Sequence, residues 1–554
     1  MTPEQLSTVI VDALNALVGE GAVNLPDGVP DSVTVERPRQ KGHGDYATNV
    51  ALQLAKKAQM PPRAFAELMV AKLTAEDGIA DVEIAGPGFL NITVETGAQG
   101  EVAARIVAAG ASYGTTATLA GIRINVEFIS ANPTGPLHLG HTRWAVVGDA
   151  VSRVLEAAGA DVVREFYIND RGNQMNLFGA SIEAAALGNP IPADGYQGDY
   201  IHDLAKEVVD REPGIIDLTG EERLIAFREA GYALQLAQQQ GQLERFQTHF
   251  DVWFSERSLH ESDDVAAGLE KLRDEGHLFD ADGALWMRTT DFGDDKDRVL
   301  IRSDGDLTYF ASDTAYYVNK RGRGFDVCLY LLGADHHGYV GRLRAMAACA
   351  GDDPDQSLEV LIGQMVKILK DGEELKLSKR AGTLVTLEEL VDLIGVDALR
   401  YTLSRYPSDS PLTLDVAEIT RQASDNPVFY VQYAHARVSS ILRNATDLGM
   451  SPAKDDFDPS LLSHEKEGDL LRALAAFPGV VASAAQLREP HRVARYLEDT
   501  AAAYHKFYDS CRVLPMGDEE PNDLHRARLL LVAATRTVLA NGLALLGVYA
   551  PQRM

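Results

Sequence analysis

Between residues 122 and 130 the chain alternates. In "IRINVEFIS", Ile124, Val126 and Phe128 share one face and Asn125 and Glu127 the other, which is the period-two pattern of a strand. The period then lengthens. From His141, "HTRWAVVGDAVSRVLEAAGADV" spaces its apolar residues helically, with Trp144, Val147, Val151, Val154, Leu155 and Ala158 in one stripe and Gly159 placed to end the helix. A further strand is predicted near "VVREFYIND". Strand, loop, helix, strand is the opening of a parallel α/β sheet.

The same periodicities divide the rest of the chain. Residues 1–95 pattern as a small α+β module: a first helix, the segment "ERPRQKGHGDYATNVALQLAKKA" that turns helical at its end, and a closing strand "GPGFLNITVE". Its GPG is a turn before a strand and not a phosphate loop, since no helix follows. Residues 110–385 are expected to form a Rossmann-like, parallel-sheet domain, interrupted at about 175–300 by mostly helical, acidic text that suggests an insertion. The α/β pattern resumes with "GDLTYFASDTAYYVNK", the buried-looking strand "VCLYLLG" ending in "ADHHGY", a helix "GRLRAMAACAGD" and the strand "EVLIGQMV". From residue 386 the text is nearly all helical, giving a connecting segment over 386–425 and an α-helical bundle over 426–554.

Composition fits several soluble modules: 554 residues, 45% hydrophobic and 24% charged. No apolar run approaches the roughly 18 residues of a membrane span, and the N-terminus has no basic leader or cleavage site, so a cytoplasmic location without a membrane partner is expected. Cys328, Cys349 and Cys511 are too far apart for a disulfide framework or a zinc cluster, and no zinc is expected. A formal charge of −29 argues against a polyanionic partner until its distribution is examined. From Tyr430 to Met554, 14 Lys and Arg stand against 15 Asp and Glu, so the acidity lies almost wholly in the first 429 residues. A nucleic-acid surface is therefore permitted in the bundle; solvated helix faces are the alternative.

The loop between the first α/β strand and its helix, "SANPTGPLHLGH", carries the first chemical signal. Pro133 and Pro136 stiffen the strand exit, and Gly140 removes a side chain where a ligand would approach outward-pointing N–H groups of the helix. His138 and His141 add two imidazoles at the same place. Such an arrangement suits a polyphosphate at the carboxyl end of a parallel strand; taken alone, it also suits two histidines in a tight turn. A second signal is "EELKLSKRAGTLVTL", with Lys376, Lys379 and Arg380 around Ser378 in a glycine-containing loop.

Together the two loops resemble the paired signatures of class I aminoacyl-tRNA synthetases, "HIGH" being read here as "HLGH" and "KMSKS" as "KLSKR". Leu377 for Met is a swap of similar volume. "VEFISANPTGPLHLGH", "GHGDYATNVALQLAKKA" with "IAGPGFLNI", "YFASDTAYY", "LGADHHGY", "GVDALRYTLSRYPSDSPLTLD", "NPVFYVQYAHAR" and the terminal "YAPQRM" are similar to the arginyl-tRNA synthetase family, over nearly the whole chain.

The resemblance implies ATP-dependent activation of arginine to its adenylate, followed by transfer to the 3′ ribose of tRNA(Arg). Arginine presents a guanidinium that keeps its charge, so its pocket needs fixed acceptors. Glu127 and Asp313, each expected on or just after a strand, fit that need. By resemblance Ser130 and Asn132 hold the amino-acid end, Tyr309 covers the side chain one helical turn from Asp313, and His336 also lines the arginine site. ATP is assigned His138, Gly140, His141, Gly333, Asp335, Lys376, Ser378 and Lys379, with His138, His141, Lys376 and Lys379 the catalytic set. Mg²⁺ is expected to arrive with ATP, held largely by phosphates. The first 95 residues would touch the outer corner of the tRNA and the bundle would read the anticodon, with Tyr430, Tyr433, Arg437, Tyr508 and Met554 as contacts. "DALR", Asp397 to Arg400, suits either a functional link or a structural helix start, and a monomer is expected. A synthetase for another amino acid, a silent RNA-binding relative and a small-molecule nucleotidyltransferase are the alternatives.

Overall fold

The computed structural model describes residues 3–36, 38, 43–375, 385–452 and 458–554, with the backbone alone for residues 4 and 96–99. At its centre a parallel sheet joins β1 (Arg123–Glu127), β2 (Asp161–Ile168), β3 (Val252–Ser255), β4 (Val327–Gly333) and β5 (Leu358–Gly363) in the order β5-β4-β1-β2-β3. The chain runs outward from β1 through β2 to β3, then returns to the other side of β1. Between β1 and β4 the strand order reverses, and ligands bind such sheets beyond the carboxyl ends of the strands at that crossing.

β1 is buried on both faces, as a central parallel strand must be. Helix α1 (Leu139–Ala157) covers the face of Ile124, Val126 and Phe128, and its predicted stripe from Trp144 to Ala158 lies in the core. Gly148 permits the contact: a Cβ there would sit 2.3 Å from the Phe128 ring. Asn125 and Glu127 face inward too. Asn125 is fully buried and donates to Glu165 at 3.1 Å, beneath a helix from the far side of the sheet that also reaches Glu165 and Glu127.

The stretch 175–300 is more than a helical insertion. Helices Asn173–Ala186, Asp199–Arg211 and α2 (Gly220–Arg245) precede β3, which pairs with β2 as an edge strand of the parallel sheet. After it come α3 (Glu256–Glu261), the helix Asp264–Asp274 and an antiparallel sheet of Leu278–Ala281, Ala284–Met287 and Arg298–Ile301. Strands of four residues leave too little periodicity to stand out from helical text. Likewise "EVLIGQMV" breaks at Gly363: Val366–Lys370 leaves the main sheet and pairs in parallel with Leu412–Asp415, a strand inside the segment expected to be helical.

The N-terminal helices Pro3–Gly19, Val50–Ala55 and Pro62–Leu73 pack with a three-stranded antiparallel sheet around a core of their own. Helix α4 (Tyr309–Gly322), capped by the Thr308 hydroxyl, lies against the parallel sheet. The C-terminal region is helical and includes α5 (Val396–Ser404), α6 (Pro427–Asp447) and α7 (His491–Ser510). Contrary to the sequence expectation, two stretches, Glu465–Leu487 and Asp523–Leu545, are long and apolar enough to cross a membrane, but half or more of each apolar window is packed inside the protein. One continuous core runs from Ile124 and Val126 of the sheet to Leu530 and Leu539 of the bundle.

Candidate active site

Beyond Glu127 the chain turns abruptly. Ile129 and Ser130 have φ of 68° and 46°, and the Ser130 N–H donates to Phe128 O at 2.9 Å, closing a tight turn around a β-branched residue in a region that residue avoids. Such a conformation costs on the order of 1–3 kcal/mol and is retained where surrounding contacts impose it. Here they do: the Ser130 hydroxyl reaches back to donate to Glu127 Oε1 at 3.1 Å and accepts the Tyr167 N–H at 3.2 Å. Asn132 is exposed and donates to Gln174 at 3.1 Å.

His138 caps α1. Its Nδ1 accepts from the Gly140 N–H at 3.1 Å, and Nδ1 of His141 accepts from the His138 N–H at 3.2 Å, with the two rings 3.9 Å apart. Both Nδ1 atoms are acceptors, so each ring carries its proton on Nε2. Burial lowers the pKa of His138; burial and then the neighbouring His138 push that of His141 down to about 3. The pair is neutral at physiological pH, offering two N–H donors and no charge.

The helix N–H groups do not point outward as the sequence suggested. Leu139 donates to Val385 O at 2.8 Å, Gly140 to the His138 ring, and His141 and Thr142 to His138 O. Gly140 has a different role: a Cβ there would lie 3.0 Å from His138 Cε1, so glycine makes room for the capping ring. Lys376, Ser378 and Lys379 lie outside the described residues. The chain just after them is tied to the histidine loop, because Leu387 N–H returns to Leu137 O at 2.8 Å.

Asp313 lies in the second turn of α4, not on a strand. The Tyr339 hydroxyl donates to its Oδ2, and burial, opposed by this bond and seconded by Glu127, pushes the carboxyl up to about 6. Tyr309 is one turn earlier and 74% exposed. Glu127 has a partner already: fully buried Lys320 stands 2.5 Å from its Oε2. A second carboxylate, missed in the sequence, is buried Glu256 at the start of α3. Burial raises its pKa, Tyr167 donates to it, and a cleft of about 180 Å³ joins it to Arg171, Gly172, Tyr309 and Ser312. Neither Asp313 nor Glu256 has a Lys or Arg within ion-pair distance among the described residues. The signal for Glu256 was "WFSE", an acid where a short aromatic strand meets a helix.

Around this centre Gly333 ends β4, and a Cβ there would strike the Asp335 carboxylate at 2.5 Å. Asp335 and His336 are exposed on the following turn, 3.4 Å apart. In the bundle, Tyr430, Tyr433, Arg437 and Tyr508 do come together. The Arg437 guanidinium lies 3.9 Å over Tyr508 and 5.8 Å over Tyr433, while His505 stacks near Tyr430 and Tyr433. Met554 belongs to a strap on another side of α6, where Gln432, His435 and Arg443 bond Tyr549, Pro551 and Gln552. Asp397 ties Gln432 and Tyr549 together. Arg400 is fully buried and bonds Asp149 of α1, Phe246 O, the Thr248 hydroxyl and Leu546 O.

A parallel sheet with paired histidines beyond its first strand, joined to a helical bundle, is the architecture of a class I aminoacyl-tRNA synthetase, and residues 104–402 match the family described as tRNA synthetases class I (R), catalytic domain. Residues 4–94 match the arginyl tRNA synthetase N terminal domain, and residues 431–554 the DALR anticodon binding domain. The chain is 56% identical to the arginine–tRNA ligases of Frankia alni and Kineococcus radiotolerans, over the full length of all three. The Thermus thermophilus arginyl-tRNA synthetase shares the fold across both whole chains, with a TM-score of 0.76 at 24% identity. This chain belongs to the arginyl-tRNA synthetase family, and its activity is the ATP-dependent ligation of arginine to tRNA.

Proposed function

We propose that the guanidinium of the substrate lies between Asp313 and Glu256, under Tyr309, with its α-ammonium toward Glu127, Ser130 and Asn132. The observation that supports this most is the pair Asp313 and Glu256: buried Glu256 lines a cleft with Ser312, the neighbour of half-buried Asp313, burial raises both pKa values against the pull of Arg171 and Arg342, and neither acid has a Lys or Arg within ion-pair distance among the described residues. Burying unpaired acids costs several kcal/mol, which a permanently charged guanidinium relieves and a neutral analogue does not. Glu127, paired with Lys320, suits the ammonium end better than the guanidinium end.

In this reading the arginine carboxylate attacks the α-phosphate of ATP and pyrophosphate leaves; the 2′-hydroxyl of the terminal tRNA ribose then attacks the acyl carbon, the acyl–phosphate C–O bond breaks, and AMP leaves as the hydroxyl gives up its proton. His138 and His141 donate from Nε2 to the triphosphate as charge moves onto the leaving group. Lys376 and Lys379 supply positive charge and Ser378 a hydroxyl to the nucleotide, and Gly333, Asp335 and His336 border the nucleotide and arginine. Mg²⁺ would come with ATP and be held largely by its phosphate oxygens. The bundle takes single-stranded anticodon bases on Tyr430, Tyr433, Arg437 and Tyr508, residues 1–95 touch the outer corner of the tRNA, and the enzyme works as a cytoplasmic monomer. Arginine-dependent ATP–pyrophosphate exchange with tRNA present, run on Glu256→Gln and Asp313→Asn with lysine as control, tests the pocket: both variants raise the arginine KM selectively, and an equal loss for ATP overturns the assignment.

A further inference from the structure

On α4 the residues Tyr309, Asp313, Tyr316 and Lys320 are spaced four, three and four apart, so they share one face of the helix. That face lies over the ends of β1 and β2. Lys320 is fully buried at its far end, 2.5 Å from Glu127 Oε2 and 4.0 Å and 4.3 Å from the ring centres of Tyr330 and Tyr316. Its remaining protons meet aromatic faces, so Glu127 is its carboxylate.

The groups facing Glu127 make this pairing consequential. From α4 come Asp313, Tyr316 and Lys320; from β2 come Tyr167 and Glu165, the latter opposite Glu127 in register; from β4 comes Tyr330. Arg323 is occupied by Glu165 in a two-point contact at 2.6 and 2.9 Å. Two acids therefore crowd Glu127, and Lys320 is the cation that touches it. A buried ion pair is seldom better for stability than apolar residues of the same volume, so its value here lies in the direction it imposes. Lys320 takes Oε2 and the Ser130 hydroxyl takes Oε1, which fixes the carboxylate plane and leaves a lone pair on each oxygen.

We propose that Lys320 is a positioning residue for aminoacylation: acting through Glu127, it holds and aims the carboxylate that receives the substrate ammonium. This rests on the reading of Glu127 given under the proposed function. Without Lys320, Oε2 of Glu127 loses the cation that holds it, the carboxylate is free to turn about its last bond, and the ammonium meets a less ordered acceptor.

The test is ATP–pyrophosphate exchange with tRNA present, on the full chain. Lys320→Met raises the arginine KM by about tenfold or more, with the ATP KM changed by less than about twofold. In a Glu127→Gln background, adding Lys320→Met changes the arginine KM by less than about twofold. That double variant removes both charges of the pair and serves if the single one is unstable. An unchanged arginine KM in Lys320→Met, an equal loss for ATP, or a Lys320→Met loss undiminished in the Glu127→Gln background overturns the role of Lys320. If Glu127→Gln alone leaves the arginine KM unchanged, the placement of Glu127 falls and the proposal with it.

Discussion

The Tyr339 hydroxyl donates to Oδ2 of Asp313, joining the turn after β4 to the helix that crosses the sheet. The bond makes Asp313 easier to ionise, yet burial outweighs it and holds the carboxyl at about 6. Such an acid awaits a cation. Asp313→Asn should raise the arginine KM by at least about thirtyfold and the ATP KM by less than about threefold.

Stability should move the other way. Folding raises the Asp313 pKa from 3.8 to about 6, so the folded chain disfavours the ionised form: this penalty is absent below pH 4 and complete above about 6. Its ceiling is about 3 kcal/mol. Asp313→Asn should therefore unfold at a higher temperature at pH 8 in the absence of arginine, with the gain fading toward pH 4. A lower melting temperature at pH 8 would assign the carboxylate to the fold instead of the pocket.

His141 should leave no titration in the rate. With its pKa lowered to about 3 by burial and by the neighbouring His138, its ring gains no proton between pH 6 and 8. His141→Ala should slow activation by roughly a hundredfold or more, the scale of losing a preorganised donor, with the arginine KM little changed. An acidic limb near pH 6.5 that disappears in the variant would show instead that the imidazole titrates.

The aromatic group on the bundle should report on RNA alone. Tyr433→Ala and Arg437→Ala should each raise the tRNA KM by about five- to a hundredfold, the range for losing a stacked base, without altering arginine or ATP. Tyr508→Phe keeps the ring face on which Arg437 rests and should be nearly silent.

Arg400 joins Asp149 on the histidine-bearing helix to Leu546 near the chain's end. Arg400→Ala leaves buried Asp149 with Arg153 and Arg164 as its ion-pair contacts and strips the Phe246 and Leu546 carbonyls of a buried donor, and should cost about 3–5 kcal/mol of stability, read by thermal unfolding. Close packing supports this: a Cβ on Gly547 would lie 2.1 Å from the Arg400 guanidinium.

Much of this protein was legible in its sequence. The alternation in "IRINVEFIS" and the stripe from Trp144 to Ala158 determined a strand, a helix and their buried faces, because period and polarity are local properties of the chain. The bundle aromatics could be named because Tyr430, Tyr433 and Arg437 fall on one side of a single helix. Tertiary structure decided the rest. The short strand Val252–Ser255 is a strand because β2 offers it an edge, and Glu256 reaches the cleft only through that pairing. Glu127 and Asp313 looked equivalent as two acids; Lys320, 193 residues beyond Glu127, neutralises one, and burial protonates the other near pH 6. Charge state depends on what the fold brings within a few ångströms and on how much water it removes, and neither distance nor burial is written in residue order.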